Sequence, residues 1–383
     1  MRILTALTYY RPHFSGLTIY AERLARALAA RGHQVTVLTS RYDSHLPGDE
    51  LRDGVHIIRP RVLMRVSKGV LMPSMPYWVW KYARQADLVH LHLPQLDAAP
   101  AALIARLLGK PVVLTYHCDL RLPEGLIHAL ANQVSHLANG LSARLASLIV
   151  ANTADYAENS AFLRPYLDKL HAIPPPVEMP LATEEDIAAL QRKAGIQPGQ
   201  RLIGMAARLA SEKGVEYLVQ AMPHILQQHP TARVLYMGQY QNVLGEEAYA
   251  KKLAPLIQAL GEHWTFLGNL SPTELSAFYR LCEVTVLPSL NSTESWGIVQ
   301  IESMRCGTPV VATDLPGVRM PVTLTGMGRI VPAANASALA EAVAAILDAP
   351  AQYGGDTQAI ARRYSPERIA EEYEALFRQV TSL

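Results

Sequence analysis

The sequence contains few cysteines, and their spacing suits neither a disulfide framework nor a metal site. Of 383 residues, only Cys118, Cys282 and Cys306 are cysteines. An odd number without paired spacing is typical of free thiols in a reducing cytoplasm. His117 precedes Cys118 directly, but no second Cys/His pair follows at metal-ligand spacing. We therefore expect neither disulfides nor a bound metal.

Long apolar runs are also lacking, and the charges nearly balance. The first apolar segment meets Arg11 and Pro12 at once and is too short for a signal peptide. No segment approaches the roughly 18 uninterrupted apolar residues that a membrane-spanning helix needs. A net charge of +2 gives no electrostatic reason to expect nucleic-acid binding. The sequence predicts a cytoplasmic protein, either free or in peripheral contact with the inner face of the membrane.

Short apolar strands alternate with amphipathic helices along the whole chain. In the first half the pattern predicts strands at 3–9, 34–39, 88–93, 112–116 and 148–152. In the second half it predicts strands at 202–207, 233–237, 264–267, 284–287, 310–313 and 329–331. Strands separated by helices pair in parallel, and ligands bind beyond the carboxyl ends of such strands. We expect an α/β fold with two doubly wound, Rossmann-like domains facing one cleft.

A proline-rich break divides the two halves. It lies at 171–180 and contains three consecutive prolines, which stiffen the chain and remove backbone donors. We predict a first domain at 1–178, a linker at 179–200 and a second domain at 201–364. An amphipathic helix at 365–383, with Ile369, Tyr373, Leu376 and Phe377 on its apolar side, should dock back onto the first domain.

The most specific segment runs from Glu294 to Glu302 and reads Glu-Ser-Trp-Gly-Ile-Val-Gln-Ile-Glu. It follows a buried strand, and Gly297 introduces a helix whose first N–H groups favour oxyanions or hydroxyls. The two carboxylates can accept hydrogen bonds from sugar hydroxyls. Taken singly, a glutamate here is more commonly a helix-start charge or part of a solvated face.

Three further segments follow predicted strands. Arg208 and Lys213 place two cations beside a helix start, where a diphosphate can bind, although isolated cations there are commonly solvated. Gly16 opens the first helix and permits close backbone approach to a phosphate or sugar, or it is a plain turn residue. His117 and Asp119 end a strand of the first half, where a histidine can contact a sugar hydroxyl or be structural.

Together these motifs resemble the retaining glycosyltransferase family 4, which has the two-domain GT-B fold. The likeness rests on the order and spacing of Arg208, Lys213, Glu294 and Glu302, followed by Gly-Thr-Pro-Val-Val at 307–311. It extends over essentially the whole chain. The Tyr-His-Cys-Asp stretch and Asp-Leu-Pro-Gly-Val-Arg at 314–319 resemble a bacterial subgroup of hexosyltransferases of surface polysaccharide and glycolipid assembly. The chain departs from the family in having Ser15 and Ala207 where glycines are common.

The resemblance implies roles for individual residues. Arg208 and Lys213 bind the donor diphosphate, which Gly16 approaches through its backbone, and Glu302 holds the ribose hydroxyls. His117, Arg208, Lys213 and Glu294 form the catalytic group, with His117 near the reacting sugar and Asp119 on the acceptor side. Glu294 acts with backbone groups of a short run that holds the transferred sugar: Trp296, Gly297, Ile298 and Val299. Gly268 and Leu270 contact the base.

The resemblance also implies a reaction: transfer of a hexose, with retention, from GDP-mannose or a UDP-hexose to a carbohydrate or lipid-linked acceptor. No Asp-x-Asp occurs in the sequence, so we expect no metal and no other cofactor. An NAD-dependent oxidoreductase would need a Gly-x-Gly-x-x-Gly turn, and the first loop has only Gly16. A sugar-nucleotide epimerase of the same fold and a non-catalytic nucleotide-sugar sensor stay open.

One stretch of the first half has a distinct surface character. Between Gly54 and Ala86 there is no Asp or Glu, and aromatic and apolar residues alternate with cations. The cations are Arg59, Arg61, Arg65, Lys68, Lys81 and Arg84. Basic and aromatic side chains favour the anionic membrane interface. We consider either membrane contact through residues 59–84, which would present a lipid-linked acceptor, or a loop packed on the first domain with solvated cations.

Overall fold

The structure is a computed structural model, and it describes residues 1–66, 69–119 and 126–381. The chain folds into two compact units. Unit 1 consists of Met1–Pro176 and Tyr364–Leu383, and unit 2 consists of Val177–Arg363. The C-terminal segment therefore belongs to the same unit as the N-terminal half.

A predominantly parallel sheet forms the centre of unit 1. Its described strands are β1 (Arg2–Ala6), β2 (Gln34–Leu38), β3 (Asp49–Arg52), β4 (Val55–Ile58), β7 (Leu88–Leu93), β8 (Val112–Tyr116), β9 (Leu148–Ala151) and β10 (Leu170–Ala172). They lie in the order β10-β9-β8-β7-β1-β2-β4-β3. All neighbouring pairs are parallel except β3 with β4. A separate antiparallel hairpin consists of β5 (Met64–Val66) and β6 (Gly69–Leu71).

Helices cover this sheet and bury its apolar side chains. They are α1 (Gly16–Ala30), α2 (Met75–Ala83), α3 (Ala98–Leu107), α4 (Leu126–Leu145) and α5 (Ala154–Asn159), with a 3₁₀ turn at Arg164–Lys169. The side chain of Ser15 accepts a hydrogen bond from the Thr18 amide and caps α1. Because both faces of the sheet are covered, strands such as β7 and β8 are buried at every position.

Unit 2 is built around a second, wholly parallel sheet. Its strands are β11 (Arg201–Ala206), β12 (Ala232–Met237), β13 (Trp264–Gly268), β14 (Val284–Leu287), β15 (Val310–Thr313) and β16 (Gly328–Val331), in the order β13-β12-β11-β14-β15-β16. Its helices are α6 (Glu184–Ala194), α7 (Val215–Gln228), α8 (Glu247–Ala259), α9 (Pro272–Leu281), α10 (Ile298–Arg305), α11 (Met320–Thr325), α12 (Ala336–Asp348) and α13 (Thr357–Arg363). Short 3₁₀ turns occur at Ser211–Lys213, Gly261–His263 and Pro350–Tyr353.

The last helix, α14 (Pro366–Thr381), packs on α1 in unit 1. Ile369, Tyr373 and Phe377 are fully buried there, as the amphipathic pattern predicts. At the start of unit 2, within the segment for which a linker is predicted, α6 packs against α9. Its residue Leu190 belongs to the same apolar cluster as Phe278 of α9.

The predicted α/β fold with two doubly wound sheets is confirmed, with two corrections. The sequence pattern indicates no strands between β2 and β7, yet β3 to β6 lie there, and it indicates no strand after β9 in the first half, where β10 leads into the proline-rich break. Asp49–Arg52 is mostly exposed and lacks an apolar alternation, because β3 is an edge strand held by its antiparallel pairing with β4. The expectation that the two sheets face one cleft stays a prediction.

Candidate active site

The proposed donor residues of unit 2 follow two adjacent strands. Arg208 and Lys213 come after β11, and Glu294 comes after β14, which pairs directly with β11. The chain continues from β11 to β12 on one side, whereas β14 lies on the other. Doubly wound sheets bind ligands beyond the carboxyl edge at such a reversal of strand order.

The two predicted cations are each paired with a carboxylate. The Lys213 Nζ lies 2.6 Å from Glu294 Oε2, and both side chains are only 19% exposed. Arg208 Nη2 lies 2.7 Å from Glu212 Oε1, with Arg208 45% exposed. The structure therefore brings together the predicted residues Arg208, Lys213 and Glu294 in one loop cluster, whose charges balance when Glu212 is included. The sequence predicts the two cations from their position after a strand, but it does not predict which carboxylates they pair with.

A glycine allows these loops to approach each other closely. Gly214 has φ +64°, and a Cβ built on it would lie 2.1 Å from the carbonyl oxygen of Pro288. The Leu290 amide donates a hydrogen bond to the Glu212 carbonyl, 3.0 Å away. The loop after β11 thus touches the loop after β14 through backbone atoms. This contact holds Lys213 beside Glu294.

Glu302 lies on α10, the helix after the Glu294 loop, and is 5% exposed. The hydroxyl of Tyr279 donates a hydrogen bond to Glu302 Oε2 at 3.4 Å. At the start of the helix, Gln300 Nε2 donates to the Trp296 and Val318 carbonyls at 2.7 and 2.8 Å. Trp296 and Gly297 are buried, with Gly297 at φ +79°, while Ile298 and Val299 are partly buried at the helix start. The run from Trp296 to Val299 is therefore anchored at the helix start.

The predicted base-contacting residues lie farther along the same edge. Gly268 ends β13 with φ +69°, and its carbonyl accepts a hydrogen bond from the Gly238 amide at 2.8 Å. Leu270 is partly buried and packs against the apolar cluster that contains Phe278. β12 lies between β13 and β11, so both residues are on the β12 side of Arg208.

In unit 1, Gly16 is the first residue of α1. Its φ is not positive, and a Cβ built there would meet no atom of the described chain within 4 Å. The glycine is therefore not required by local packing. The open space beside it is compatible with the predicted close approach of a ligand.

His117 lies directly after β8 and is buried in a cluster of histidines. Its Nε2 is 2.8 Å from Nδ1 of His92, and the two rings stack with centroids 5.1 Å apart. Tyr20 of α1 lies edge-on to His117. Burial lowers the pKa of His117 to about 3, and it also lowers the pKa of His92 well below the usual value. The imidazole of His117 is thus held neutral and fixed in orientation, and sequence alone did not indicate this pairing.

His90, also buried, completes the cluster through a chain of hydroxyls. Its Nε2 is 2.8 Å from the Thr115 hydroxyl, which in turn lies 2.7 Å from the hydroxyl of Tyr373 on α14. The Tyr373 hydroxyl also meets that of Tyr20 at 2.6 Å. The C-terminal helix is therefore tied by hydrogen bonds to the strand that ends beside His117.

Removing the Tyr373 hydroxyl should loosen this attachment. In Tyr373→Phe, the buried hydroxyls of Tyr20 and Thr115 each lose a partner, so we expect the free energy of unfolding to fall by about 1–3 kcal/mol. Urea unfolding monitored by circular dichroism measures the loss. Tyr353→Phe, which deletes a partly exposed hydroxyl in unit 2, is the control and should change stability little. Equal effects of the two substitutions would contradict the network.

The histidine cluster should make stability depend on pH. Burial lowers the pKa of His90 and His117 to about 3, with His92 also depressed, so the unfolded chain binds protons that the folded chain excludes. Stability is therefore lost as pH falls below about 6.5. For three histidines the loss at pH 5.5 is about 4 kcal/mol. Burial raises the pKa of Asp97 to about 6, and this carboxyl group therefore offsets about 1 kcal/mol of the stability that the histidines lose.

Urea unfolding at pH 7.5 and 5.5 tests this balance. We expect a net loss of at least about 3 kcal/mol at pH 5.5, because burial also lowers the pKa of His33, and a pH dependence smaller by about one histidine's share, ~1.4 kcal/mol, in His117→Gln. Comparing each protein with itself at the two pH values separates titration from the direct effect of the substitution. An unfolding free energy that is the same at both pH values would contradict the buried neutral cluster.

Asp119 follows His117 by two residues and is held by neighbouring hydroxyls. Tyr116 and Ser160 both donate hydrogen bonds to Asp119 Oδ1, at 2.9 and 2.8 Å. The Asp119 amide donates to the Tyr156 hydroxyl at 2.7 Å. The carboxylate is thus fixed at the carboxyl end of β8, on the same sheet edge as His117. Its predicted acceptor-side role stays a prediction.

The structure corrects the predicted surface of residues 59–84. Arg59 is 4% exposed, because its guanidinium pairs with Glu50 of β3 at 2.7 Å and donates hydrogen bonds to the carbonyls of Pro47 and Arg11. Val70, Met72 and Met75 are also buried, as part of the core under α2. Lys68 lies outside the described residues. The exposed basic, aromatic and large apolar residues among those described are Arg61, Leu63, Met64, Arg65, Leu71, Tyr77, Trp80 and Arg84.

Comparisons with known proteins agree with this architecture. Residues 15–176 match the model of a glycosyl transferase 4-like domain, and residues 186–368 match that of glycosyl transferases group 1. The two matches follow one another along nearly the whole chain. The chain belongs to the family 4-like glycosyltransferases.

Relatives of this glycosyltransferase carry several activities in their names. It is 27% identical over 394 residues to a D-inositol 3-phosphate glycosyltransferase of Segniliparus rotundus, covering 95% of this chain and 84% of the relative. It is 28% identical over 377 residues to a glycogen synthase of Mycobacterium tuberculosis, covering 92% and 87%. The family is therefore shared, whereas the named acceptors differ.

Solved structures share the GT-B fold of this glycosyltransferase. HepE of Anabaena, solved in complex with UDP-glucose, matches with a TM-score of 0.77 and 21% identity over 100% of both chains. Sucrose-phosphate synthase of Thermosynechococcus elongatus matches with a TM-score of 0.76 and 21% identity over 100% of this chain and 99% of its own. These likenesses confirm the predicted fold.

The sequence predicts that this glycosyltransferase has neither a membrane-spanning helix nor a bound metal ion. No helix within the described ranges is long and apolar enough to cross a membrane. Among the same residues, no three His, Cys, Asp or Glu side chains are grouped to hold a metal ion. The metal-independence of transfer stays a prediction, since neither finding measures activity.

Proposed function

We propose that the protein transfers a hexose from a nucleoside diphosphate-sugar to a carbohydrate or lipid-linked acceptor and retains the anomeric configuration. The observation that carries the proposal is the contact between Lys213 and Glu294. It joins a diphosphate-binding cation to a sugar-binding carboxylate at the carboxyl ends of two adjacent strands. A donor needs both groups next to each other, because its diphosphate is bonded directly to the sugar.

Donor binding replaces existing ion pairs. The diphosphate offers Lys213 and Arg208 phosphate oxygens in place of the carboxylates of Glu294 and Glu212. Charge-assisted hydrogen bonds to phosphate are worth roughly 1.5–3 kcal/mol each, about as much as the bonds to carboxylate that they replace, so neither cation is left unpaired when the exchange occurs. Glu294, released from Lys213, accepts hydrogen bonds from the hexose hydroxyls. Until a donor binds, the same pair keeps the partly buried charges satisfied.

The remaining donor contacts follow from the positions of the other residues. Glu302 accepts hydrogen bonds from the ribose hydroxyls, and Tyr279 orients its carboxylate. The backbone of the run from Trp296 to Val299 holds the hexose beside Glu294. Gly268 and Leu270, on the β12 side of the site, border the base. Each of these roles is part of the proposal.

The reaction breaks the bond between the anomeric carbon and the diphosphate oxygen. A bond to the acceptor oxygen forms on the same face, and the acceptor proton passes to an oxygen of the leaving diphosphate. Lys213 and Arg208 stabilise the negative charge that develops there. His117, neutral and fixed by His92, donates or accepts a hydrogen bond at the reacting sugar. Gly16 approaches the phosphate, and Asp119 binds the acceptor.

For the donor base and sugar we propose GDP-mannose or a UDP-hexose. Subgroup resemblance favours the first, and the UDP-glucose complex of the structurally similar HepE favours the second. A thermal-shift panel of GDP-mannose, UDP-glucose and ADP-glucose decides between them. A bound donor at 100 times its Kd should stabilise the protein by about 2.7 kcal/mol.

The reaction itself is tested with the donor that binds. We expect sugar transfer to an added acceptor without added metal, and a product with the donor's anomeric configuration by NMR. Inversion would refute the retaining mechanism. An epimerised donor in the absence of acceptor would instead indicate an epimerase, and donor binding without any turnover would indicate a sensor.

We also propose that the protein works at the inner face of an anionic membrane. The support comes from the exposed members of the 59–84 segment. Tyr77 and Trp80 of α2 are 56% and 43% exposed, and the Arg84 guanidinium stacks over the Trp80 ring at 4.7 Å. An aromatic ring carrying a cation suits the interface between headgroups and acyl chains.

A further inference from the structure

A cavity on unit 1 carries cations that the proposed donor site does not use. It has a volume of about 580 Å³ and lies at the carboxyl ends of β2 and β4. Its lining combines three arginines with apolar side chains: Arg41, Tyr42, Ser44, Arg61, Val62, Leu63, Met64 and Arg65. We call this cavity the arginine pocket.

Within the described residues, the guanidinium groups of the arginine pocket have no carboxylate counterions, since no Asp or Glu there forms an ion pair with Arg41, Arg61 or Arg65. This contrasts with Arg208 and Lys213, which are both paired. Three unneutralised cations around one cavity repel each other, so an anion that enters it is favoured.

Two of the arginines are fixed in place by backbone carbonyls. Arg41 donates to the carbonyls of Leu46 and Ser44 at 2.6 and 2.9 Å, and Arg65 donates to that of Tyr42. A guanidinium has five N–H donors, so both keep donors for a ligand. Because their orientation is set beforehand, little side-chain entropy is lost on binding. The planar fork of arginine matches the oxygens of phosphate.

Apolar side chains line the same cavity and continue onto the β5–β6 hairpin. Leu63 and Met64 are 69% and 51% exposed. Met64 pairs directly with Leu71 across the hairpin, and Leu71 is 42% exposed. Residues opposite each other in an antiparallel pair project from the same face. The hairpin therefore presents apolar surface beside the arginines, which a purely soluble phosphate would leave in water.

We propose that the arginine pocket binds the phosphate group of an anionic lipid, whose acyl chains cover Leu63, Met64 and Leu71. Charge complementarity selects the phosphate, and the exposed hairpin selects a lipid over a water-soluble phosphate. The pocket shares the carboxyl edge of the unit 1 sheet with Gly16 and His117. A lipid held there brings its headgroup to the edge at which the acceptor is expected. This site is separate from the donor residues of unit 2.

Vesicle binding by Arg61→Gln tests the cationic half of the assignment. The Arg61 side chain is exposed and makes no hydrogen bond with the described chain, so its replacement leaves the fold intact. We expect binding to phosphatidylglycerol vesicles to weaken by roughly fivefold or more. Arg192→Gln, which removes another exposed charge, from α6 of unit 2, should weaken vesicle binding less than twofold. Equal effects of both substitutions, or none, would overturn the proposal.

Leu63→Gln tests the apolar half and distinguishes a lipid from a soluble phosphate. We expect this variant to bind phosphatidylglycerol vesicles about tenfold more weakly, yet to bind glycerol 3-phosphate like the wild type. Unchanged vesicle binding together with tight glycerol 3-phosphate binding would assign the pocket to a soluble phosphate instead. Thermal shifts with the nucleotide-sugar donor should be the same in all three variants. If the wild-type protein showed no thermal shift with the nucleotide-sugar donor, that result would contradict the proposed donor site but not the arginine pocket.

Discussion

Lys213→Ala is expected to reduce the rate of sugar transfer by about 10²–10³-fold, the usual effect of removing one preorganised donor to a developing negative charge. The leaving diphosphate gains charge as its bond to the sugar breaks, and Lys213 is the less exposed of the two cations in the cluster. Its loss also leaves Glu294 without its ion-pair partner. That carboxylate would then repel the incoming phosphate. Transfer rates at saturating donor measure the effect.

Two further variants separate charge from position at this site. Lys213→Arg keeps the positive charge and should retain more activity than Lys213→Ala. Lys252→Ala removes an exposed lysine from α8 and should transfer sugar at the wild-type rate. Wild-type turnover by Lys213→Ala would exclude the diphosphate role.

Gly214→Ala is expected to be strongly destabilising, although it adds only one methyl group. The added Cβ would lie 2.1 Å from the Pro288 carbonyl oxygen, a backbone atom that cannot move without shifting the loop that carries Glu294. Strain at φ +64° adds about 1 kcal/mol. We expect the free energy of unfolding to fall by about 3 kcal/mol or more, together with a loss of transfer activity.

Gly195→Ala provides the matched control. Gly195 also has a positive φ, +60°, and ends α6 in the same unit, but a Cβ built there would meet nothing within 4 Å. It should therefore show the backbone strain alone, about 1 kcal/mol, with transfer activity unchanged. Urea unfolding of both variants measures the difference. Equal losses would show that the contact with Pro288 contributes nothing.

The sequence predicted the buried strands of both sheets well. Strands at 88–93, 112–116, 284–287 and 310–313 are confirmed to the residue, because parallel strands covered on both faces are continuous apolar runs between turns. Edge elements were harder to predict. The exposed strand Asp49–Arg52 depends on hydrogen bonds to its partner rather than on an apolar pattern.

For the site, sequence indicated single residues but not their partners. Lys213 and Glu294 are 81 residues apart, and Thr115 and Tyr373 are 258 apart. Such contacts arise only when the sheet brings strand ends together or when α14 returns to α1. A signal for His92 did exist: His90 and His92 alternate on one strand and therefore point to the same face as each other. The pairing of His92 with His117, which lies directly after the neighbouring strand, needed the register of β7 with β8.

The crystal structure of a complex with a nucleoside diphosphate tests the central claim most directly. The account requires phosphate oxygens within hydrogen-bonding distance of Lys213 and Arg208, a ribose hydroxyl on Glu302, and separation of Lys213 from Glu294. A nucleotide bound away from these residues, with the ion pair between Lys213 and Glu294 still intact, would contradict it.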